Sequence, residues 1–304
     1  MSGIAAIGNT PVVRIERLAS GDGAEVWVKL EAANPTGSYK DRMALAMIEG
    51  AERAGRLRPG QSVVEYTGGS TGSSLAFVCA LKGYPLRIVS ADAFAEEKIL
   101  TMRAFGATVE VLHSPDGVTP QLIPRMMARA REIVAETGGY ATDQFNNRDM
   151  IDGYLALGRE LAEQVEGRLD AFCAYVGTAG CFVGGCRGLR ERIPELRRVA
   201  IEPDESAVLS GRPPGTHRIE GGGAGFRPPL LADGTYDEVQ TVSTAEATAM
   251  ARRAAKDEGV FGGPSTGANL IVALRLAERL GPGRRVATVQ VDSGLKYLGG
   301  ATYR

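Results

Sequence analysis

Two histidines and four cysteines are the whole supply of those side chains in 304 residues. His113 and His217 have no partner at metal-ligand spacing, and Cys79, Cys173, Cys181 and Cys186 form no CxxC pair. A metal centre, a disulfide framework and a histidine-driven hydrolase are therefore excluded as readings, and the cysteines read as buried free thiols. No apolar run approaches the roughly 20 residues of a membrane span. Met1-Ser2-Gly3-Ile4 has no charged stretch leading into an apolar one, so the expectation is a chain without a secretory signal, located in the cytoplasm. Net charge is −1 and no basic tract is present, which argues against nucleic acid and membrane surfaces as partners. Internal repeats and low-complexity tracts are also missing.

With 44% hydrophobic and 23% charged residues, the chain has an ordinary globular composition. Its length suits two domains, or one large α/β domain with an insertion. The pattern predicts strands at 26–30, 61–66, 86–90, 108–112, 171–176, 198–202 and 286–291. Helices are predicted near 43–49, 73–81, 96–105, 124–137, 149–165, after Gly180, and at 245–257 and 265–280. Strands alternating with helices point to parallel βαβ units and an α/β fold. The Gly- and Pro-rich stretch 210–229 is long for a connection without periodicity, which marks it as functional or mobile.

The stretch Asn34-Pro35-Thr36-Gly37-Ser38-Tyr39-Lys40-Asp41-Arg42 joins the first of these strands to a helix, with Ser38 placed as an N-cap. Lys40 then falls in the first helical turn, where the helix dipole disfavours a cation. Such a lysine either snorkels to solvent or lies dry with a lowered pKa, ready to condense with an aldehyde.

Two glycine-rich segments follow predicted strands and open predicted helices: Thr67-Gly68-Gly69-Ser70-Thr71-Gly72 and Gly177-Thr178-Ala179-Gly180-Cys181. Each fits either an ordinary tight turn or an anion cradle of backbone N–H groups at a helix N-terminus. Neither is a G-x-G-x-x-G fingerprint and neither leads into a Walker A lysine, so nucleotide binding is disfavoured.

The segment Asn34–Arg42 resembles the active-site lysine segment of the cysteine synthase family, Asn-Pro-x-x-Ser-Val-Lys-Asp-Arg, with Tyr39 in place of Val. This family belongs to the fold-type II pyridoxal-phosphate enzymes, with cystathionine β-synthases and, more distantly, threonine dehydratases. The 67–72 segment resembles the family's Thr-Ser-Gly-Asn-Thr-Gly, with Ser70 for Asn. The 177–181 segment resembles Gly-Thr-Gly-Gly-Thr, with Ala179 for Gly and Cys181 for Thr. Asp143-Gln144-Phe145-Asn146 resembles the Gln-Phe segment, Ile219–Phe226 resembles Ile-Gln-Gly-Ile-Gly-Ala-Gly-Phe, and Asp292–Leu298 resembles Ser-Gly-x-x-Tyr-Leu. These segments run in family order from Asn34 to Leu298.

The resemblance implies two parallel-sheet α/β domains, a smaller one at 36–144 inserted into a larger one (1–35 and 145–304), with pyridoxal 5'-phosphate in the cleft. Lys40 would carry the cofactor and act as base. Ser70 would approach the ring hydroxyl, and Gly177, Thr178, Ala179, Gly180 and Cys181 the phosphate. Ser293, rather than Asp292, would meet the ring nitrogen and leave it neutral, which favours β-elimination and β-replacement. Thr67, Gly68, Gly69, Ser70, Thr71 and Gln144 would hold the substrate carboxylate, and Gly223 would wall the pocket. The implied reaction is β-replacement on O-acetylserine or O-phosphoserine with sulfide. The alternatives are another nucleophile such as homocysteine or an amine, a dehydratase-like elimination, or a catalytically quiet regulatory homologue. Arg227, next to that wall, is a candidate reader of a charged leaving group such as phosphate, or a solvent-facing residue. A homodimer is implied as well.

Overall fold

The computed structural model describes residues 2–119 and 121–304. Among the described residues, ten strands fall into two sheets. The six-stranded sheet comprises β1 (Val12–Ile15), β2 (Glu25–Leu30), β7 (Ala171–Tyr175), β8 (Arg197–Pro203), β9 (Glu238–Val242) and β10 (Arg285–Gln290), in the order β1-β2-β10-β7-β8-β9. Only β1 pairs antiparallel, on β2. The four-stranded sheet is wholly parallel and joins β3 (Val63–Tyr66), β4 (Leu86–Ala91), β5 (Thr108–Leu112) and β6 (Tyr140–Ala141) in the order β5-β4-β3-β6.

Among the described residues, eight α-helices cover these sheets: α1 (Lys40–Arg53), α2 (Ser70–Lys82), α3 (Glu96–Ala104), α4 (Leu122–Thr137), α5 (Met150–Gln164), α6 (Gly180–Arg190), α7 (Thr244–Glu258) and α8 (Pro264–Leu280). Parallel strands covered on both faces have no polar side, and β3 and β7 are buried at every residue. One apolar core runs between the sheets, from Val63 and Ile88 through Met43 and Met47 of α1 and Leu157 of α5 to Phe172. Truncating a side chain such as Met47 there is expected to cost about 2–5 kcal/mol. The outer faces have cores of their own, under α7 and α8 on the larger sheet and under α4 on the smaller.

The predicted strands and helices all form. Three further strands, β1, β6 and β9, lie beyond the prediction. All three sit at sheet edges and have at most one buried residue each, so they lack the buried apolar run that marks a central strand. The first helix starts at Lys40 itself, and Ser38 Oγ accepts the Lys40 N–H at 3.2 Å. The stretch 210–229 contains no helix or strand.

Candidate active site

Loops leaving β3, β7 and β10 converge on one cavity of about 360 Å³. The carboxyl ends of parallel strands are where ligand crevices form in such sheets, and here two sheets contribute to one crevice. The segment 217–226 also lines it, meeting α3 through Glu220 and Lys98 and meeting Phe145 through Phe226.

Lys40 reaches this cavity from the first residue of α1 and is 6% exposed. Its Nζ makes a long 3.8 Å contact to Met43 Sδ and lies 4.9 Å from the Tyr39 ring centroid. Burial pulls its pKa down to about 8, against the upward pull of Cys181, Asp292 and Glu65. Near neutral pH an appreciable fraction of such an amine is uncharged and nucleophilic.

The segment after β3 is organised by its hydroxyls. Thr71 Oγ1 donates to Gln144 Oε1 at 2.9 Å, and Gln144 Nε2 donates to the Tyr66 carbonyl at 2.8 Å. Thr67 Oγ1 accepts the Gly69 N–H at 3.1 Å. Ser70 Oγ donates to Asp292 Oδ2 at 2.9 Å, across from the smaller sheet to the larger. Thr67, Gly68, Gly69, Ser70, Thr71 and Gln144 all line the cavity. Gly69 turns the chain at φ +149°, and a side chain there would run into Lys98.

The segment after β7 is built from backbone. Gly177 and Thr178 line the cavity, while Ala179, Gly180 and Cys181 turn into the start of α6, whose first N–H groups have no intrahelical acceptor. Thr178 Oγ1 donates to Met150 Sδ at 3.4 Å, a weak acceptor that a better one would displace, and accepts the Gly180 N–H at 3.5 Å. Burial pushes the Cys181 thiol far above its ordinary pKa, so it stays protonated. Ala179 holds φ +70°, the left-handed region that an alanine enters at a cost of about 1–2 kcal/mol.

Two expected site residues are placed elsewhere. Ser293 is not on the cavity: its Oγ accepts the Leu295 N–H at 3.3 Å and its N–H binds the Gly37 carbonyl at 2.9 Å, which turns the side chain into a 3₁₀ cap. Asp292 takes the wall position beside it. Its Oδ2 accepts from Ser70 and, at 2.8 Å, from Tyr297 OH, while its Oδ1 is buried without a partner. Arg227 also leaves the cavity. Its guanidinium binds Asp233 Oδ1 at 2.6 Å and the Leu231 carbonyl at 3.0 Å, over the Tyr236 ring. These intraloop partners engage it, and it does not line the cavity. Gly223 is on the wall as expected.

Sequence reasoning passed over four residues. Ser265, in the first turn of α8, is 1% exposed, and its Oγ has no partner and faces Gly221 on the cavity wall. The Gly262-Gly263-Pro264-Ser265 opening of a helix was the available signal. Lys98 of α3 and Glu220 form an ion pair at 2.6 Å on the wall, with Lys98 also donating to Tyr297 OH at 3.1 Å. Glu65, behind the wall, accepts hydrogen bonds from the Thr142–Gln144 segment. Nothing local in sequence marks these three.

A family model described as "Pyridoxal-phosphate dependent enzyme" matches residues 4–292. A cysteine synthase from Staphylococcus aureus is 42% identical over 299 residues, covering 98% of this chain and 95% of the relative. A probable cysteine synthase from Bacillus subtilis is 38% identical, covering 96% and 94%. The solved O-acetylserine sulfhydrylase isoform 3 from Entamoeba histolytica superposes with a TM-score of 0.92 at 32% identity, covering 99% of this chain and 90% of that one. An O-ureido-L-serine synthase gives 0.92 at 33% identity, covering 99% and 94%.

Proposed function

The chain belongs to the pyridoxal-phosphate dependent enzyme family, and from that premise we propose that it catalyses cysteine synthase-like β-replacement, with O-acetylserine as donor and sulfide as nucleophile. One observation carries the reading: a buried Lys40 shares one cavity with a hydroxyl-built segment and a backbone-built segment. The residues present fit pyridoxal phosphate. Lys40 Nζ would hold its aldehyde carbon, the amides of 177–181 with Thr178 its phosphate, and the uncommitted Ser265 hydroxyl its ring nitrogen. Bound there, the cofactor supplies an electron sink for the carbon next to the donor's amine.

The chain's own residues do the rest. Thr67–Thr71 and Gln144 hold the donor carboxylate and so set which face of the α-carbon Lys40 sees. Lys40 Nζ is the base that would remove the α-proton. Asp292, whose pull on Lys40 is upward, balances the ammonium that forms. Closure of the 36–144 unit on the remainder would exclude water from the reacting carbons. Arg227, held in its own loop, gives no support to a phosphate leaving group, which favours the acetyl ester. A homodimer in the cytoplasm completes the reading.

A second reading rests on Glu220. Its Oε2 is engaged by Lys98, and its Oε1, on the cavity wall, accepts no hydrogen bond among the described residues. A spare carboxylate oxygen there favours a nucleophile bearing an amine over anionic sulfide. Incubation of the purified holoenzyme with O-acetylserine plus sulfide or homocysteine, followed by product analysis, tests both. Cysteine or cystathionine is the expected product. Only pyruvate, or no product, would sink the proposal.

A further inference from the structure

Glu65 is the penultimate residue of β3 and is 1% exposed, yet it does not line the cavity. Both of its carboxylate oxygens are committed. Oε1 accepts the Tyr66 N–H at 2.9 Å. Oε2 accepts the Thr142 hydroxyl at 2.6 Å and the Gln144 N–H at 3.0 Å. From Gln144 the chain of bonds continues through Oε1 to the Thr71 hydroxyl, on the cavity wall. The segment that presents Gln144 follows the two-residue edge strand β6, so little sheet pairing fixes it. The carboxylate supplies what the sheet does not.

We propose that Glu65 is a positioning residue for the donor's carboxylate: it holds Gln144, and through it Thr71, in binding geometry, and releases them when it takes up a proton. This rests on the reading of the 67–71 segment and Gln144 as the carboxylate site.

A proton on Glu65 removes the negative charge that strengthens all three hydrogen bonds, and on Oε2 it competes with the Thr142 and Gln144 donors that already occupy that oxygen. Proton uptake therefore weakens the hold on the Gln144 segment. The titratable groups facing Glu65 are Lys40 from α1, Tyr66 from its own strand, Tyr140 from the neighbouring strand β6 and Asp143 from the segment after it. The neighbouring strand β4 brings Ile88 and Val89, which are apolar and buried. Burial raises the Glu65 carboxyl to about 7, with hydrogen bonds from Thr142, Tyr66 and Gln144 opposing and Asp143 adding to the rise. The carboxylate form, which holds Gln144, is therefore present above about pH 7 and lost as pH falls through it. Weakening of donor binding on mild acidification is the consequence.

Propionate tests this with the holoenzyme, because it carries a carboxylate, lacks an amine and keeps its charge from pH 6 to 8.5. Its inhibition constant against the donor is measured across that range, alongside the shift it causes in the cofactor's absorbance. In the wild type it is expected to rise about tenfold between pH 8 and pH 6. Glu65→Gln, which cannot titrate, is expected to bind propionate weakly and with no pH dependence, raising donor KM more than it lowers kcat. Thr142→Val keeps Glu65 but removes a donor to its carboxylate, so the midpoint is expected to move to higher pH. A flat wild-type profile, or one that persists in Glu65→Gln, overturns the proposal. A Thr142→Val midpoint that does not move also overturns it, and covers the case in which Glu65→Gln does not fold. A protein that makes cysteine yet shows the flat profile fails this inference alone. One that turns over no serine ester fails the reading beneath it.

Discussion

The two glycine-rich segments occupy equivalent positions, each leaving a buried parallel strand and opening a helix, yet they are built in opposite ways. The one before α2 spends its side chains: Thr67, Ser70 and Thr71 all make named hydrogen bonds, and one of these reaches across to Asp292. In the segment before α6 the side chains are poorer partners, a threonine that donates to a thioether and accepts only a long 3.5 Å bond from the Gly180 N–H, and a buried thiol, and the backbone is left to act. A planar carboxylate is discriminated by donors set at fixed angles, which oriented hydroxyls and an amide provide. A phosphate, rounder and more highly charged, is held well by converging N–H groups and a helix dipole. On the proposed reading, similar glycine-rich turns suit different ligands according to where the hydrogen-bonding atoms are kept.

Lys40, between the two, is where the contrast is broken most severely. Lys40→Ala is expected to abolish turnover and the long-wavelength absorbance of the holoenzyme, as read by spectroscopy and product assay. In the wild type, the rate of cofactor loading onto apoenzyme should climb as pH rises toward about 8, since the uncharged amine attacks. A normal spectrum in Lys40→Ala would move the assignment to another lysine.

Thr71→Val attacks the hydroxyl-built segment only. Donor KM is expected to rise about 5- to 30-fold, matching loss of one buried hydrogen bond, while cofactor affinity stays within about twofold. An equal loss in both would mean that the two segments are one site and the contrast is false.

Cys181→Thr sharpens the contrast from the other side, giving the backbone-built segment a hydroxyl. Cofactor affinity, measured by titrating apoenzyme, is expected to tighten by up to about tenfold, the worth of one charge-assisted hydrogen bond. A large loss in a well-folded variant would place the phosphate elsewhere.

The smallest effect is reserved for Ala179→Gly. Relief of the left-handed alanine is expected to stabilise the fold by about 1 kcal/mol in a denaturant titration, with catalysis little changed. No gain would mean that the methyl group's packing offsets its backbone strain.

How much was legible from sequence follows the same divide between contiguous and assembled features. Lys40 and both segments could be read because each is an unbroken run at a strand–helix junction, where backbone chemistry is local. Central strands such as β7 and β10 were legible from their apolar runs; the half-buried edges β1 and β9 were not, because pairing on one side alone does not demand such a run. Ser293 and Asp292 are adjacent, and which of them faces the cavity depends on a turn pinned by Gly37, hundreds of residues earlier in the chain. Arg227 looked free for a ligand until Asp233 and Leu231 came round to meet it. Lys98 and Glu220 acquire meaning only as a pair, and no periodicity announces a partner 122 residues away.

The place of β10 has a consequence for how the chain comes to be folded. It is the last strand in sequence, yet it lies in the interior of the larger sheet, hydrogen-bonded to β2 on one side and β7 on the other. The smaller sheet draws on 63–141 alone and can form while the chain is still being synthesised. The larger sheet must wait, its β2 and β7 holding open edges until β10 arrives. A ribosome stalled before Arg285 would therefore release a protein with one finished sheet and two adhesive strands, a substrate for chaperones before it is an enzyme.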